Sequence, residues 1–240
     1  MGIEGPNFEK PKGNETPNRP KRFSVGHEIA DELTSKEELK LKLSPEQIAF
    51  FGDSLTYHYN RQWAKKEKIP TANDGRYVKI GKSVSDMEKD MKILLAAGQL
   101  DKIKCAVILG GANDLGNGKK TAEIIIASLD TMMKGLMTKN PPSLIVLSTL
   151  PPIEGYKPFQ GNMREIAAKA NKVNAWIRQQ AQKFPGKVVL FDLENMVVDP
   201  TSPGHMSAKY FSDGLHLSKT GKTEMAAQIY KIIAKNAPSG

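Results

Sequence analysis

From residue 47 to the C-terminus, short apolar runs alternate with longer segments of helical periodicity. The runs are four to seven residues long and contain mainly Val, Ile, Leu and Phe, which is typical of strands buried on both faces of a sheet. The pattern predicts five such strands, at residues 48–51, 77–80, 105–109, 144–150 and 188–191.

Between the predicted strands, apolar residues recur at spacings of three and four, as they do on one face of a helix. Three such faces are formed by Met87, Met91, Leu94 and Leu95, by Ile125, Leu129, Met132 and Leu136, and by Ile166, Val173, Trp176 and Ile177. A last helix is predicted from about 218 to 234. Strands alternating with helices indicate right-handed βαβ units, so we expect residues 46–240 to form one α/β domain with a parallel sheet covered on both faces.

The first 45 residues have a different composition. Residues 1–22 are mostly Pro, Gly, Asn and Lys, which cannot bury enough apolar surface to offset the entropy lost on ordering, so we expect a flexible tail. Ser35 and Glu38 have the spacing of a capping box, and residues 23–45 are interpreted as a lead-in segment with a short helix within 28–43. Such a helix could lie against the domain or lead in from an upstream segment.

The net charge of +9 comes entirely from the later part of the chain. Residues 1–45 carry 8 basic and 8 acidic side chains, whereas residues 46–240 carry 27 basic and 18 acidic ones. The basic residues are mostly lysines, spread singly or in pairs, without the dense Arg/Lys run or interleaved aromatics of a nucleic-acid groove. We interpret them as a solvated surface that could attract acidic glycans or lipids, and expect no nucleic-acid partner.

Other gross features narrow the class of protein. No run of 18 apolar residues exists, so no membrane span is expected. Cys105 is the only cysteine and cannot form an intramolecular disulfide; we expect it to be a small apolar residue in a buried strand. The N-terminus has no apolar signal segment, which favours the cytoplasm, although a chain trimmed of its signal would be secreted or in the cell envelope. A monomer is the default expectation.

Polar motifs follow the predicted strands at the points where ligands bind in parallel α/β sheets. Ser54 follows the first strand, Gly81 the second and Asn113 the third, and Asp213 and His216 precede the last helix. Each could be an ordinary helix cap or turn residue. Together, however, a serine, a histidine, a carboxylate and extra hydrogen-bond donors are the groups needed for acyl transfer.

These motifs resemble the conserved blocks of the SGNH, or GDSL, hydrolase family. The matching segments are Gly52-Asp-Ser54-Leu, Gly81, Gly111-Ala-Asn113-Asp114 and Asp213-Gly-Leu-His216, in family order, with segments 174–178 and 189–192 adding support. The second block departs from the pattern, because the usual asparagine before its glycine is absent. The resemblance covers about 47–234 and implies a three-layer α/β/α sandwich of flavodoxin-like type, with a five-stranded parallel sheet, and esterase or lipase chemistry without a metal or other cofactor.

Each residue then has an expected role. Ser54 would attack the ester carbonyl, His216 would accept its proton, and Asp213 would hold the imidazole in the required tautomer. The backbone N–H groups of Ser54 and Gly81 and the side-chain amide of Asn113 would bind the oxyanion.

Further polar and aromatic residues are candidates for substrate contact. The polar candidates are Tyr57, His58, Asp114 and His205; for His58 an exposed helix position is the alternative. Tyr59, Tyr156, Phe159, Tyr210 and Phe211 flank the strand-end loops, where they could stack on sugar or acyl groups or simply pack.

The sequence thus predicts a serine esterase for small acyl esters, with O-acetyl groups on carbohydrate or peptidoglycan as the favoured glycan or small-molecule substrate. The loops at 151–161 and 199–212 are rich in Gly, Pro and polar residues, and no long apolar insertion is present to hold an acyl chain. Lysophospholipids, thioesters and aryl esters are the alternative substrates, and an inactive binding module of the same fold is the alternative to an enzyme. The G-x-S-x-G motif of α/β-hydrolases is absent, and four histidines make a two-metal phosphoesterase a poor fit.

Overall fold

The computed structural model describes residues 41–57, 77–116, 118, 120–139, 143–159, 161–202 and 205–237. The predicted tail at 1–22 therefore lies outside the described residues, and so does the predicted helix within 28–43 except for residues 41–43, which are not helical. Of the lead-in segment at 23–45, only residues 41–45 are described.

Four parallel strands form the sheet of the described chain, in the order β1-β2-β3-β4. Their bounds are Ile48–Gly52 for β1, Cys105–Leu109 for β2, Leu144–Ser148 for β3 and Val188–Phe191 for β4. Every residue of β1, β2 and β3 is buried, as expected for strands covered on both faces. In register, Val107 of β2 lies between Phe50 of β1 and Val146 of β3.

The prediction of a strand at 77–80 is wrong. Only Val78 pairs there, in an isolated parallel bridge with Gly52 of β1, at the position expected for a fifth strand. The chain turns away immediately afterwards, because the Lys82 N–H donates to the Lys79 carbonyl at 3.1 Å and Gly81 has a φ of +75°. Ile80 is 57% exposed, so the segment lacks the second buried apolar residue that would extend the pairing.

Six helices accompany the strands in the described residues. They are α1 Val84–Ala96, α2 Ala112–Gly116, α3 Ala122–Thr138, α4 Met163–Lys183, α5 Leu193–Val197 and α6 Lys219–Asn236, and residues 54–57 are also helical. The predicted faces of α1, α3 and α4 are confirmed, with Leu95 and Trp176 at their partly buried margins. Ser83, Asn162 and Ser218 cap α1, α4 and α6 by accepting backbone N–H groups of the first turn.

Helix α1 packs against α3, and α3 packs against α4. Helix α6 packs against β3 and β4. The predicted α/β class is thus confirmed, with a parallel sheet and helices packed on it. Cys105 is buried in β2, where desolvation raises the pKa of its thiol to about 12. Of the helices that the structure describes, none has the length and apolar character needed to cross a membrane.

Candidate active site

The serine lies where β1 ends in a tight turn. A Cβ atom on Gly52 would lie 1.9 Å from Thr56 Oγ1 and 2.9 Å from the Leu109 carbonyl, so only glycine allows this close approach. The turn carries Ser54 to the start of the helical residues 54–57, at the carboxyl edge of the sheet. Its side chain lies in a nearly buried position, since the residue is 5% exposed.

Ser54, His216 and Asp213 form a continuous chain of hydrogen bonds. Ser54 Oγ lies 3.0 Å from His216 Nε2, and His216 Nδ1 lies 2.8 Å from Asp213 Oδ2. The other carboxylate oxygen, Asp213 Oδ1, accepts the backbone N–H of His216 at 2.7 Å and that of Leu215 at 3.2 Å. One short turn therefore presents both the carboxylate and the imidazole to a serine 162 residues away.

The electrostatics of this turn favour an ionised Asp213. Partial burial by itself would raise the pKa of the Asp213 carboxyl, but the hydrogen bonds from His216 and Leu215 outweigh it and hold the pKa below its usual value. An ionised carboxylate only accepts hydrogen bonds, so it favours a proton on His216 Nδ1. That tautomer leaves the Nε2 lone pair facing the Ser54 hydroxyl, as a general base requires.

The loop after β3 holds the turn in place. The Glu154 N–H donates to the Gly214 carbonyl at 3.0 Å, and the Tyr156 ring meets the His216 ring edge-on, with 5.2 Å between centroids. Gly214 has a φ of +84°, and a Cβ atom there would lie 2.0 Å from the Glu154 carbonyl oxygen. No pattern in the sequence predicts this contact.

Replacing Gly214 with alanine should therefore impair activity as well as stability. The new methyl group would push the 213–216 turn off Glu154, and a displacement of about 1 Å at a reacting group can lower the rate by roughly 10²-fold. Steady-state kinetics and thermal unfolding would measure the two effects. Gly186→Ala is the matched control, because Gly186 has a similar φ of +73° but nothing within 4 Å of the added Cβ. Equal activity losses in the two variants would contradict this interpretation.

Asn113 lies beside the serine turn, at the second residue of α2. Its Nδ2 atom is 3.2 Å from Asp53 Oδ2 and 3.3 Å from the Lys82 carbonyl. Gly81 precedes Lys82 and Ser54 follows Asp53, so the three segments expected to supply oxyanion donors are in contact. Gly81 itself is exposed and has open space around it.

Asp53 is a fully buried carboxyl group next to the candidate nucleophile. Its Oδ1 accepts the Leu55 N–H at 3.0 Å. Burial raises the pKa of Asp53 to about 7, and the nearby Asp114 carboxylate acts in the same direction, against the hydrogen bonds from Leu55 and Asn113.

Asp53→Asn should consequently change how stability depends on pH. The folded-state pKa of about 7 lies above the usual 3.8, so between these pH values the folded protein binds a proton that the unfolded chain does not. The wild-type free energy of unfolding therefore falls as pH rises through this window, by at most about 4 kcal/mol. Asparagine does not titrate, so the variant should gain stability relative to wild type from pH 4 to 8 in urea unfolding. A difference that is independent of pH would contradict the expectation.

Asp114 and His205 have partners of their own. Asp114 is 2% exposed; its Oδ2 accepts the Val84 N–H at 2.9 Å and its Oδ1 lies 2.7 Å from Lys120 Nζ. It thus fastens the first turn of α1 to α2. The His205 side chain is 70% exposed, and its Nδ1 lies 3.2 Å from Glu154 Oε1, which joins it to the loop that holds Gly214.

The remaining candidates are only partly described. Tyr57 is half-buried and packs against the core at the end of the helical residues 54–57, whereas His58 and Tyr59 lie outside the described residues. Among the described residues, no group of three His, Cys, Asp or Glu side chains is arranged to hold a metal ion.

The sequence pattern also did not predict a network of ion pairs and hydrogen bonds between α4 and the residues that follow β3 and β4. The Arg178 guanidinium donates to both Asp192 oxygens, at 2.7 and 3.1 Å, and to Glu194 at 2.7 Å. One turn earlier in α4, the Asn174 amide makes two hydrogen bonds to the Leu150 backbone, at 2.7 and 2.9 Å. Asn174 and Arg178 are four residues apart in α4, and this spacing is the sequence signal that places both on one face of the helix. They fix the ends of β3 and β4, and the loop that contacts His216 continues from the end of β3.

The described chain also has a cavity of about 410 Å³ that none of the predicted site residues lines. It begins at Glu46 and Ile48, near the start of β1, and continues past Gln99 and Lys102. The start of β1 is the end of the strand opposite to Ser54, so this cavity is separate from the candidate active site.

A parallel sheet can carry a Ser–His–Asp hydrogen-bonded chain at its carboxyl edge, with a side-chain amide beside the serine, in hydrolases of the α/β structural class. The chain belongs to the GDSL-like lipase/acylhydrolase family, whose model matches residues 50–223. No curated protein matches the chain.

Several solved structures share the fold of this chain. A GDSL-like lipase from Bacteroides thetaiotaomicron aligns with a TM-score of 0.62 at 17% identity, over 88% of this chain and 98% of that one. A carbohydrate esterase of family 3 from Talaromyces cellulolyticus aligns with a TM-score of 0.55 at 17% identity, over 78% and 96%. A variant acetyl esterase crystallised with acetate gives 0.53 at 17% identity, also over 78% and 96%.

Proposed function

We propose that this protein is a serine esterase that hydrolyses small acyl esters through Ser54, His216 and Asp213. The observation that carries the proposal is the hydrogen-bonded chain itself, with 3.0 Å between Ser54 Oγ and His216 Nε2 and 2.8 Å between His216 Nδ1 and Asp213 Oδ2. These distances are within the reach that proton transfer requires.

The reaction would proceed through an acyl-enzyme. Ser54 Oγ bonds to the ester carbonyl carbon while His216 Nε2 takes the hydroxyl proton, and the carbonyl oxygen becomes an oxyanion held by Asn113 and by the N–H groups of Ser54 and Gly81. The C–O bond to the alcohol then breaks, and the imidazolium returns the proton to the leaving oxygen. Water, deprotonated by His216, attacks the acyl-enzyme and releases the carboxylic acid and free Ser54.

We further propose that the acyl group is short, as in an acetyl ester on a carbohydrate or peptidoglycan. Two aromatic rings restrict the space between His216 and α2. The Tyr156 and Phe159 rings pack edge-to-face at 4.9 Å, and Phe159 lies so close to Gly116 that a Cβ atom there would be 2.2 Å from Cδ1 of the ring. Solved structures with the same fold include proteins named as an acetyl esterase and a carbohydrate esterase, which supports this substrate class.

A chain-length series of p-nitrophenyl esters, run beside acetylated xylan and peptidoglycan, tests this proposal. Because the Tyr156 and Phe159 rings restrict the space, we expect the highest kcat/KM for acyl groups of two to four carbons. An optimum at eight carbons or more would contradict the short-acyl proposal, and no hydrolysis of any ester would contradict the esterase proposal as a whole.

Phe159→Ala should relax the acyl-length limit. Removing the ring opens space beside Gly116 and Tyr156, and each additional methylene accommodated in an apolar pocket contributes roughly 1–3 kcal/mol. We expect the ratio of kcat/KM for the eight-carbon ester to that for the two-carbon ester to rise about tenfold or more. Phe184→Ala is the control, since Phe184 lies at the C-terminal end of α4, away from His216. An unchanged ratio in Phe159→Ala would show that this ring does not limit chain length.

A further inference from the structure

Asp53 is a buried ionisable side chain to which the mechanism above gives no role. Asp53 directly precedes Ser54 and is 0% exposed. Burying a carboxylate costs several kcal/mol unless specific partners compensate, so its partners indicate what it does.

The two carboxylate oxygens of Asp53 have different partners. Oδ1 accepts the Leu55 N–H at 3.0 Å, which is an ordinary capping contact for the helical residues 54–57. A serine or asparagine would make that contact equally well without burying a charge. Oδ2 has a second partner, Asn113 Nδ2 at 3.2 Å, and that residue is the side-chain donor expected to bind the oxyanion.

An asparagine amide can donate to an oxyanion only when its side chain is correctly oriented. The oxygen and nitrogen ends of an asparagine side chain have nearly the same shape, and only the nitrogen end can donate to an oxyanion. Asn113 Nδ2 has two acceptors, Asp53 Oδ2 and the Lys82 carbonyl at 3.3 Å. Above its pKa of about 7 the Asp53 carboxyl is ionised, and neither an ionised carboxylate nor a carbonyl can donate. Both contacts are long, so a developing oxyanion, which is a stronger acceptor, can compete for one of the two N–H bonds.

We propose that Asp53 is the positioning residue of the oxyanion hole, because its buried carboxylate holds the nitrogen end of the Asn113 amide toward Ser54. This inference rests on the proposed esterase function. Asp53 itself touches neither substrate nor the reacting atoms and acts through Asn113.

Two substitutions separate this role from capping. Asp53→Asn keeps the shape and can still cap Leu55 through its oxygen, but it then presents an NH2 group to the NH2 group of Asn113. The opposed donors favour a flipped Asn113 amide that turns its oxygen toward the site. Asp53→Ser keeps a capping oxygen on a side chain that is one atom shorter, so Asn113 Nδ2 loses its carboxylate acceptor and keeps only the Lys82 carbonyl.

The experiment is a double-mutant cycle on p-nitrophenyl acetate at about pH 8, where Asp53 is ionised, with kcat and KM measured for wild type, Asp53→Asn, Asn113→Ala and the double variant. We expect Asp53→Asn and Asn113→Ala each to lower kcat by about 10²-fold, the cost of losing one oxyanion donor, with KM changed less than about threefold. In the Asn113→Ala background, Asp53→Asn should lower kcat less than about threefold further. Asp53→Ser should lose activity as Asp53→Asn does, with urea unfolding confirming that both variants fold.

Other results would overturn the inference. If Asp53→Asn lowers kcat as much in the Asn113→Ala background as alone, Asp53 acts independently of Asn113. If both Asp53 variants keep wild-type kcat, or lose activity through KM alone, Asp53 does not position the amide. Both results require an active wild-type enzyme, whereas a wild type that hydrolyses no ester contradicts the proposed function instead.

Discussion

Ser54→Ala is expected to lower ester hydrolysis by roughly 10⁴- to 10⁶-fold while leaving the fold intact. The substitution removes the atom that bonds to the acyl carbon in the first step of the proposed reaction, and hydrolysis would then depend on direct attack by water on the ester. The residue is 5% exposed and its Oγ bonds to His216, so an alanine fits the space without creating a large cavity. Initial rates with p-nitrophenyl acetate and far-UV circular dichroism measure the two expectations.

Ser143→Ala is the matched control for that variant. Ser143 is also buried, at 3% exposure, but it precedes β3 at the opposite end of the sheet, where its hydroxyl donates to the Ile103 carbonyl at 2.7 Å. We expect a loss of about 1 kcal/mol in the free energy of unfolding and an unchanged kcat. Wild-type turnover by Ser54→Ala would show that Ser54 is not the nucleophile.

His216→Ala is expected to lower kcat nearly as much as Ser54→Ala, because the hydroxyl loses the base that makes it nucleophilic. Residues that act as one catalytic unit have strongly non-additive effects, so the double variant should be scarcely slower than either single one. Asp213→Asn should lower kcat by about 10⁴-fold, since an amide at that position favours the wrong imidazole tautomer. Kinetics of the three single variants and the double variant test this together. Additive losses would contradict a joint role.

The fold could be predicted from the sequence wherever the spacing of apolar residues indicates which side chains are buried. The five residues of β2 and the buried face of α3 follow directly from their apolar patterns. The prediction of a strand at 77–80 is wrong because a short apolar pattern does not reveal that the chain turns at Gly81 before a second buried residue can pair.

The candidate site was predictable to the extent that strand ends meet at one edge of a parallel sheet. That rule brings Ser54 and Asn113 together without any knowledge of side-chain contacts. The support around them was not predictable, because it depends on loop conformation: the Glu154 backbone against Gly214 and the Tyr156 ring against His216 have no period in the sequence. The role proposed for Asp53 was not predictable for another reason. A carboxylate after a strand is normally a helix cap, and only the hydrogen bond from Asn113 distinguishes Asp53 from such a cap.

The most direct test of the central claim is covalent labelling with a fluorophosphonate, followed by peptide mass spectrometry. The proposed mechanism predicts one adduct per chain, on Ser54, with labelling greatly slowed in His216→Ala. Ser85, whose hydroxyl lies 2.9 Å from Lys120 Nζ, serves as the internal comparison and should remain unmodified. An active enzyme that is labelled on Ser85 or another residue, or that resists labelling altogether, would contradict the assignment of Ser54 as the nucleophile.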